Sequence, residues 1–219
     1  MENAQLNGHE LRYALTPGDY QAIRGRLLAA GTAETERGGG WVHTLGFASY
    51  INKALPGRDR EERMESCFSL RYYNNDPAFL MLERREGRTT STAMVTEAEC
   101  RALLAGETDW LAERHDPVLR DFHTGLTERM LLPRLLLFYH RESYSLLEDY
   151  GIWVALDTDI SVSLQHEDFL DPELLAREAV AQTGRSLLEI SYTDTIPDRF
   201  LCLLEEAAPR RQMLVDRYL

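Results

Sequence analysis

The sequence has few residues that would support disulfide or covalent chemistry. Its three cysteines, Cys67, Cys100 and Cys202, are odd in number and form no CxxC pair. This spacing predicts neither a disulfide framework nor a zinc cage. Free thiols of this kind are typical of a reducing compartment, so we expect a cytoplasmic protein.

Long apolar runs are also missing. The longest, residues 130–138, is broken by Pro133 and Arg134 and is too short to span a bilayer. The first ten residues show neither the basic region nor the apolar region of a signal peptide. We therefore expect no membrane segment in this chain.

Positive charge is scarce as well. The chain has 24 basic and 36 acidic side chains, a formal net charge of −12. This balance argues against general nucleic-acid binding, which needs a basic surface to neutralise phosphates. Lys53 is the only lysine, a bias that coding preference explains. At a position where a related protein would carry lysine, an arginine therefore says little about selection in this chain. A neutral residue at such a position does indicate a selected change.

What remains is the composition of an ordinary globular protein. The chain has 219 residues, of which 44% are apolar and 27% charged, a length that suits one domain or at most two small ones. No repeat, low-complexity tract or shift in composition marks a boundary. We predict a single domain over residues 1–219.

Alternating polar and apolar side chains predict strands at residues 9–15 and 67–73. Turn residues at 74–77 and a returning strand at 78–85 make the second of these a hairpin. Further strands are predicted at 41–47, 135–146, 151–164 and 184–192, and an exposed connection at 56–65. Helices are predicted at 20–30, after Thr96, from Pro117 to about Leu132, and at 172–182 and 197–207, followed by a short element at 212–218. Because the strands arrive as hairpins, we predict an α+β fold with an antiparallel sheet or barrel.

Charged residues recur at two-residue spacing on these strands, which places them on one face of the sheet. The charged pairs are Glu10 with Arg12, Glu83 with Arg85, and Asp157 with Asp159. Arg141 shares its face with the aromatic Tyr139, and Arg71 and Glu189 are single charges. Each pair alone is typical of a solvated outer face. If the sheet curls into a barrel, the same faces would line one interior. Such an interior suits phosphate, because guanidinium forks bind phosphate oxygens and carboxylates hold a divalent cation.

The order of these segments resembles a known family. The segments ELRY at 10–13, FSLRYYN at 68–74, LERR at 82–85, YHRESY at 139–144, VALD at 154–157, LLE at 187–189 and DRY at 216–218 follow the order and spacing of the VTC domain. That family is the polyphosphate-polymerase branch of the triphosphate tunnel superfamily, related to the CYTH domains. The resemblance extends from about residue 8 to residue 219.

The resemblance implies an eight-stranded antiparallel β-barrel with several flanking helices, whose basic bore threads polyphosphate. It also implies transfer of the terminal phosphate of a nucleoside triphosphate to the chain, with a divalent cation, Mn or Mg. By position, the implied phosphate-binding residues are Arg12, Arg71, Arg85, Arg141 and Arg217. The implied catalytic residues are Arg71, Arg141 and Glu189, and the implied metal ligands are Glu189, Glu83 and Glu10. Asp157 matches an acidic position to which we assign no role.

Four positions depart from the family pattern. Ser69, Thr90, Trp153 and Ser191 stand where the family carries basic residues. Each lost charge-assisted phosphate contact costs about 1.5–3 kcal/mol of interaction. Two hypotheses therefore remain open. The protein is a divergent polyphosphate polymerase or triphosphate-processing enzyme, or it is a catalytically silent VTC-like domain that binds an anion weakly or serves a protein partner.

Overall fold

The architecture was obtained as a computed structural model. It describes residues 9–30, 33–34, 39–49, 67–86, 89–145, 151–164, 166, 169–171, 181–182, 186–193, 195–196, 198 and 202. The predicted connection at 56–65 and the predicted element at 212–218 lie outside these residues, as do most of the helices predicted at 172–182 and 197–207.

Strands and helices alternate irregularly along the described chain. The elements are β1 (His9–Leu15), α1 (Pro17–Ala29), β2 (Ala33–Glu34), β3 (Gly40–Ser49), β4 (Cys67–Tyr73), β5 (Asp76–Glu86), β6 (Thr89–Val95), α2 (Glu97–Leu104), a 3-10 helix (Asp109–Glu113), α3 (Pro117–Glu128), β7 (Leu131–Ser145), β8 (Ile152–Ser163), β9 (Ala181–Gln182) and β10 (Ser186–Tyr192). No helix within the described ranges combines the length and the apolar character that crossing a membrane requires.

Eight of the strands follow one another in a curled antiparallel sheet, in the order β1-β10-β8-β7-β3-β4-β5-β6. The two-residue strands β2 and β9 add to β7 and β8. All pairings recorded for the described residues are antiparallel. The predicted fold class, α+β with an eight-stranded antiparallel sheet, is confirmed.

Local sequence signals explain several element boundaries. Asn74 and Asn75 adopt left-handed backbone angles, with φ of 52° and 57°, which is the geometry of a tight hairpin turn between β4 and β5. Thr16 and Thr96 cap α1 and α2 in reciprocal capping boxes with Asp19 and Glu99. The predicted hairpin and the helix start after Thr96 are therefore confirmed, whereas α1 begins at Pro17, ahead of the predicted start at residue 20.

Other boundaries differ from the prediction. The helix predicted to run to about Leu132 ends at Glu128, because Met130 takes a left-handed φ of 51° and Leu131 pairs with Ser49 on β3. The threonine-rich strand β6, which pairs with β5, was not predicted. Residues 181–182, predicted as the end of a helix, instead pair with β8. In each case a long-range partner overrides the local pattern.

The helices pack against one face of the sheet. Phe122 of α3 and Cys100 of α2 belong to one buried cluster with Phe68, Leu70 and Leu82 of β4 and β5. On the other half of the sheet, α1 buries Ile23 and Leu27 in a second cluster with the apolar residues Val154, Leu156, Leu188 and Ile190. Because side chains alternate along a strand, the intervening residues occupy the opposite face.

Candidate functional site

We call the face opposite the helices the concave face. Its members are the residues that alternate with the helix-facing ones: Arg12, Val42, Thr44, Ser69, Arg71, Glu83, Arg85, Thr90, Tyr139, Arg141, Trp153, Asp157, Leu187, Glu189 and Ser191. Most of the predicted site residues are among them. The sheet therefore brings together side chains that lie far apart in the sequence.

Four of these residues form one buried ionic group, which we call the Glu189 cluster. Arg141 makes a bidentate contact with Asp157, in which Nε donates to Oδ1 at 2.6 Å and Nη2 donates to Oδ2 at 2.8 Å. Its Nη1 also donates to Glu189 Oε1 at 3.1 Å. Arg12 Nη2 lies 2.8 Å from the other oxygen of Glu189. Arg141 faces Asp157, and Arg12 faces Glu189, as direct cross-strand neighbours, so the strand register alone brings these charges together.

A second ionic group, which we call the Arg71 pair, lies on β4 and β5. Arg71 Nη1 is 3.0 Å from Glu83 Oε1, and Arg71 Nε donates to Thr44 Oγ1 at 3.2 Å. Thr44, which sequence analysis did not identify, sits directly opposite Arg71 on β3. The sequence offers only a weak signal for Thr44, which is a single threonine in a largely apolar strand.

Burial and charge act in opposite directions on the two central arginines. Arg71 and Arg141 are 8% and 7% exposed. Burial by itself would lower the pKa of the Arg141 guanidinium, but Asp157 and Glu189 beside it raise that pKa well above its ordinary value. Glu83 does the same for the pKa of Arg71. Both guanidinium groups are therefore charged, and removing one partner would leave an uncompensated buried charge, at a cost of about 3–5 kcal/mol.

The remaining predicted site residues are placed less completely. Arg85 lies on the concave face of β5, partly buried and opposite Thr90. Glu10 lies on β1 opposite Ser191. Arg217 is outside the described residues.

The positions that depart from the family pattern lie on the same face. Ser69 is opposite Glu83, Ser191 is opposite Trp153, and Thr90 is opposite Arg85. Trp153 exposes 42% of its surface. Ser69 thus directly faces a member of the Arg71 pair, and all four neutral replacements lie on the concave face.

One predicted pairing is wrong. Asp157 and Asp159 were expected to share a face, but the register of β7 and β8 shifts between Phe138 and His140. Asp159 takes a left-handed φ of 51° and is exposed. The bulge decides the direction of this side chain.

Largely apolar residues lie between the two ionic groups on the concave face, although Tyr139 among them interacts electrostatically with both Arg71 and Arg141. Val42, Tyr139 and Ile160 form a buried cluster, with Tyr73, Leu137 and Leu187 packed against it. We call these six residues the apolar band. Tyr139 pairs with Val42, and Val42 pairs with Tyr73, so part of the band is a continuous row across β7, β3 and β4.

The described carboxylates do not fit a resident divalent cation. Within the described ranges, no three His, Cys, Asp or Glu side chains lie together in an arrangement that would hold a metal ion. Glu189 already contacts two guanidinium groups and Glu83 contacts one. A cation at either carboxylate would meet positive charge at contact distance.

A family model described as the VTC domain matches residues 9–215. No curated protein matches the sequence significantly.

Several solved structures resemble the fold at low sequence identity. The PH1819 protein of Pyrococcus horikoshii OT3 has 12% identity and a TM-score of 0.43, with 91% of this chain and 85% of that chain covered. The RNA triphosphatase domain of a trifunctional mimivirus mRNA capping enzyme has 8% identity and a TM-score of 0.45, with 94% and 91% covered. A monoclinic form of the mimivirus capping enzyme triphosphatase has 9% identity and a TM-score of 0.44, with 92% and 88% covered.

Proposed function

Because this chain belongs to the VTC domain family, we propose that its concave face binds the phosphate groups of a polyphosphate or a nucleoside triphosphate without transferring them. The binding groups are Arg12, Arg71 and Arg141, with Arg85 beside them and Arg217 as a further candidate. A guanidinium fork suits phosphate because it donates two parallel hydrogen bonds to adjacent oxygens.

One observation carries this proposal: Arg12, Arg71 and Arg141 are already paired with carboxylates of the same face. Arg141 holds Asp157 and Glu189, Arg12 holds Glu189, and Arg71 holds Glu83. An incoming phosphate must replace these carboxylates or share the guanidinium groups with them. Binding is then an exchange of one anion for another, which supports recognition but yields a modest affinity.

The same pairing disfavours catalysis. Phosphoryl transfer depends on positive groups that stabilise the charge developing on the transferred phosphate. Here the positive charge of the arginines is offset by Glu83, Asp157 and Glu189. The neutral side chains of Ser69, Thr90, Trp153 and Ser191 supply no positive charge to replace it. No step is assigned to manganese or magnesium, because Glu189 and Glu83, two of the three carboxylates proposed as ligands, are engaged by arginines. A silent domain of this kind would act by binding, alone or for a protein partner.

Phosphoryl transfer is the second candidate. The observation in its favour is that Arg12, Arg141 and Glu189 converge, with Glu189 in contact with both arginines. In that case Arg71, Arg141 and Glu189 are the catalytic residues, and the cation arrives with the nucleoside triphosphate as part of the substrate.

Titration calorimetry with tripolyphosphate and with ATP tests the binding proposal. The informative variant is R71Q/E83Q, which removes both charges of a buried pair and leaves no uncompensated charge. We expect its affinity to fall by about tenfold or more, since one charge-assisted contact is lost. The matched control is R101Q, which removes an arginine whose side chain is exposed and pairs with Glu97 on α2; its affinity should equal that of the wild type.

The outcomes separate the candidates. Equal affinities of the wild type and R71Q/E83Q, or no binding by the wild type, would overturn the binding proposal. Incubation of the wild type with ATP and manganese or magnesium, followed by gel analysis, tests catalysis. Formation of polyphosphate or release of phosphate would establish the second candidate instead.

A further inference from the structure

We infer that Trp153 forms a stacking site for the planar ring of a nucleobase, at one end of the concave face. The phosphate-binding function proposed above does not use this residue, because an indole ring offers a phosphate no positive charge. The stacking site is independent of that function, since a base contains no phosphate.

Trp153 keeps much of its surface exposed. Its exposed fraction is 42%, although its neighbours along β8, Ile152 and Val154, are 4% and 1% exposed. Tryptophan is on average a highly buried residue, and an aromatic ring gains stability when it leaves water. The exposed surface of Trp153 can therefore gain from contact with a ligand.

The rings of the other two tryptophans have partners within the protein. Trp41 stacks on Phe138, with ring centroids 4.5 Å apart and an angle of 5° between the rings. The Arg114 guanidinium lies over the Trp110 ring, 5.6 Å from its centroid. Among the residues that the structure describes, no aromatic ring or guanidinium group contacts Trp153 in this way.

Small side chains flank Trp153 on the concave face. Its direct cross-strand neighbours are Ser145 on β7 and Ser191 on β10, and the next residue of β8 on the same face is Ala155. Serine and alanine side chains are too short to cover an indole ring, so a planar ligand can reach it. Serine hydroxyls both donate and accept hydrogen bonds, which suits the mixed donors and acceptors on the edges of a base.

The charges near Trp153 favour a neutral ring over an organic cation. The Glu189 cluster begins about 7 Å further along the strands, and its two carboxylates are matched by the guanidinium groups of Arg12 and Arg141. Glu10 lies two strands away from Trp153 in the cross-strand row. A cation on the ring would therefore have no carboxylate as a direct cross-strand neighbour, whereas a neutral base needs none.

Adenosine, which carries no phosphate, tests the site directly. Its dissociation constant is measured by nuclear magnetic resonance titration of the wild type and of two variants. We expect it to rise at least about fivefold in W153A, because the stacking surface is lost. It should stay within about threefold of the wild type in W153F, because phenylalanine keeps a ring on which a base can stack.

The matched control is W41A. Trp41 exposes 37% of its surface, close to the 42% of Trp153, and lies on the opposite face of the sheet. This variant should bind adenosine as the wild type does. Urea unfolding of each variant verifies that it is folded.

The outcomes separate this site from the alternatives. No adenosine binding by the wild type, or equal binding by the wild type and folded W153A, would overturn the inference. Choline binding that depends on Trp153, without adenosine binding, would identify an organic-cation site and would also overturn it.

Tripolyphosphate is titrated in parallel and should bind W153A as it binds the wild type. If the wild type binds adenosine through Trp153 and does not bind tripolyphosphate, the stacking site stands and the proposed phosphate-binding function fails. If tripolyphosphate binds and adenosine does not, the proposed function stands and the stacking site fails.

Discussion

His43 shows how the environment of one residue can change its chemistry. It is fully buried on β3 and stacks on Tyr72, with ring centroids 4.3 Å apart and an angle of 6° between the rings. One ring nitrogen, Nε2, lies 2.8 Å from Asn75 Oδ1. Burial lowers the pKa of His43 from 6.5 to about 4, although the contact with Asn75 favours the charged form. His43 is therefore neutral in the folded protein at pH 7.

This shift predicts a pH dependence of stability. Between pH 6.5 and about 4 the unfolded chain gains a proton at residue 43 that the folded chain does not. The stabilisation is therefore complete above pH 6.5 and is lost as the pH falls, in total on the order of 3 kcal/mol. Urea unfolding of wild type and H43F at a series of pH values measures it as the difference between the two profiles.

The control is H115Q, which replaces an exposed histidine and should reproduce the wild-type profile. Parallel profiles of wild type and H43F between neutral and acidic pH would show that His43 does not contribute this dependence.

Among the elements, α1 depends unusually on a polar contact. Ile23 and Leu27 are its buried residues, so little apolar surface attaches it to the sheet. Glu142 of β7 supplies a polar attachment in addition. Its carboxylate oxygens accept hydrogen bonds from Tyr20 at 2.7 Å and Arg24 at 2.8 Å, both on α1, and from Tyr144 on β7. Burial by itself would raise the pKa of Glu142, but these hydrogen-bond donors lower that pKa and keep the carboxylate charged.

Removal of the Glu142 carboxylate should therefore loosen α1 selectively. For E142A we expect amide exchange in α1 to accelerate by about tenfold or more, while exchange in α3 changes little, because α3 has its own apolar contacts. The loss of a charged hydrogen-bond acceptor predicts a destabilisation of about 2 kcal/mol. Hydrogen exchange measured by mass spectrometry resolves the two helices.

E97Q is the control for this experiment, because Glu97 makes a comparable bond to Arg101 on an exposed helix surface. It should leave exchange in α1 unchanged. Equal acceleration in α1 and α3 of E142A would indicate general destabilisation and would refute a selective role for Glu142.

At the scale of the whole molecule, the net charge of −12 opposes the approach of a polyanion, even though the concave face carries arginines. Salt screens this long-range repulsion more than it screens the buried contacts, because the Debye length falls to about 8 Å at about 0.15 M. We therefore expect the association rate constant of tripolyphosphate to rise by about two- to fivefold between low salt and about 0.15 M. Stopped-flow tryptophan fluorescence measures this rate.

A rate constant that falls with added salt would show that the local positive potential at the concave face outweighs the acidic exterior. The same measurement with R101Q provides a control, because it alters the net charge by one unit at a distance from the concave face. Its salt dependence should have the same direction as that of the wild type.

Much of the fold was predictable from local patterns. Two-residue alternation identified β1 and β4, the turn residues at 74–77 identified the returning strand β5, and Thr96 identified the start of α2, because these signals depend only on neighbouring residues. β6 and the end of α3 were not predictable, since both depend on pairing with distant strands. Part of the candidate site was predictable as well, because two-residue spacing placed Arg12, Arg71, Arg141 and Glu189 on the polar sides of their strands.

The partners of those side chains were beyond local sequence information. Which carboxylate meets which guanidinium depends on the register between strands, so the pairs Arg141 with Asp157 and Arg71 with Glu83 emerged only from the folded sheet. The bulge that turns Asp159 away and the apolar band between the ionic groups arise in the same manner. Alternation along a strand is a short-range property of the chain, whereas register, curl and burial are set by contacts between segments distant in sequence.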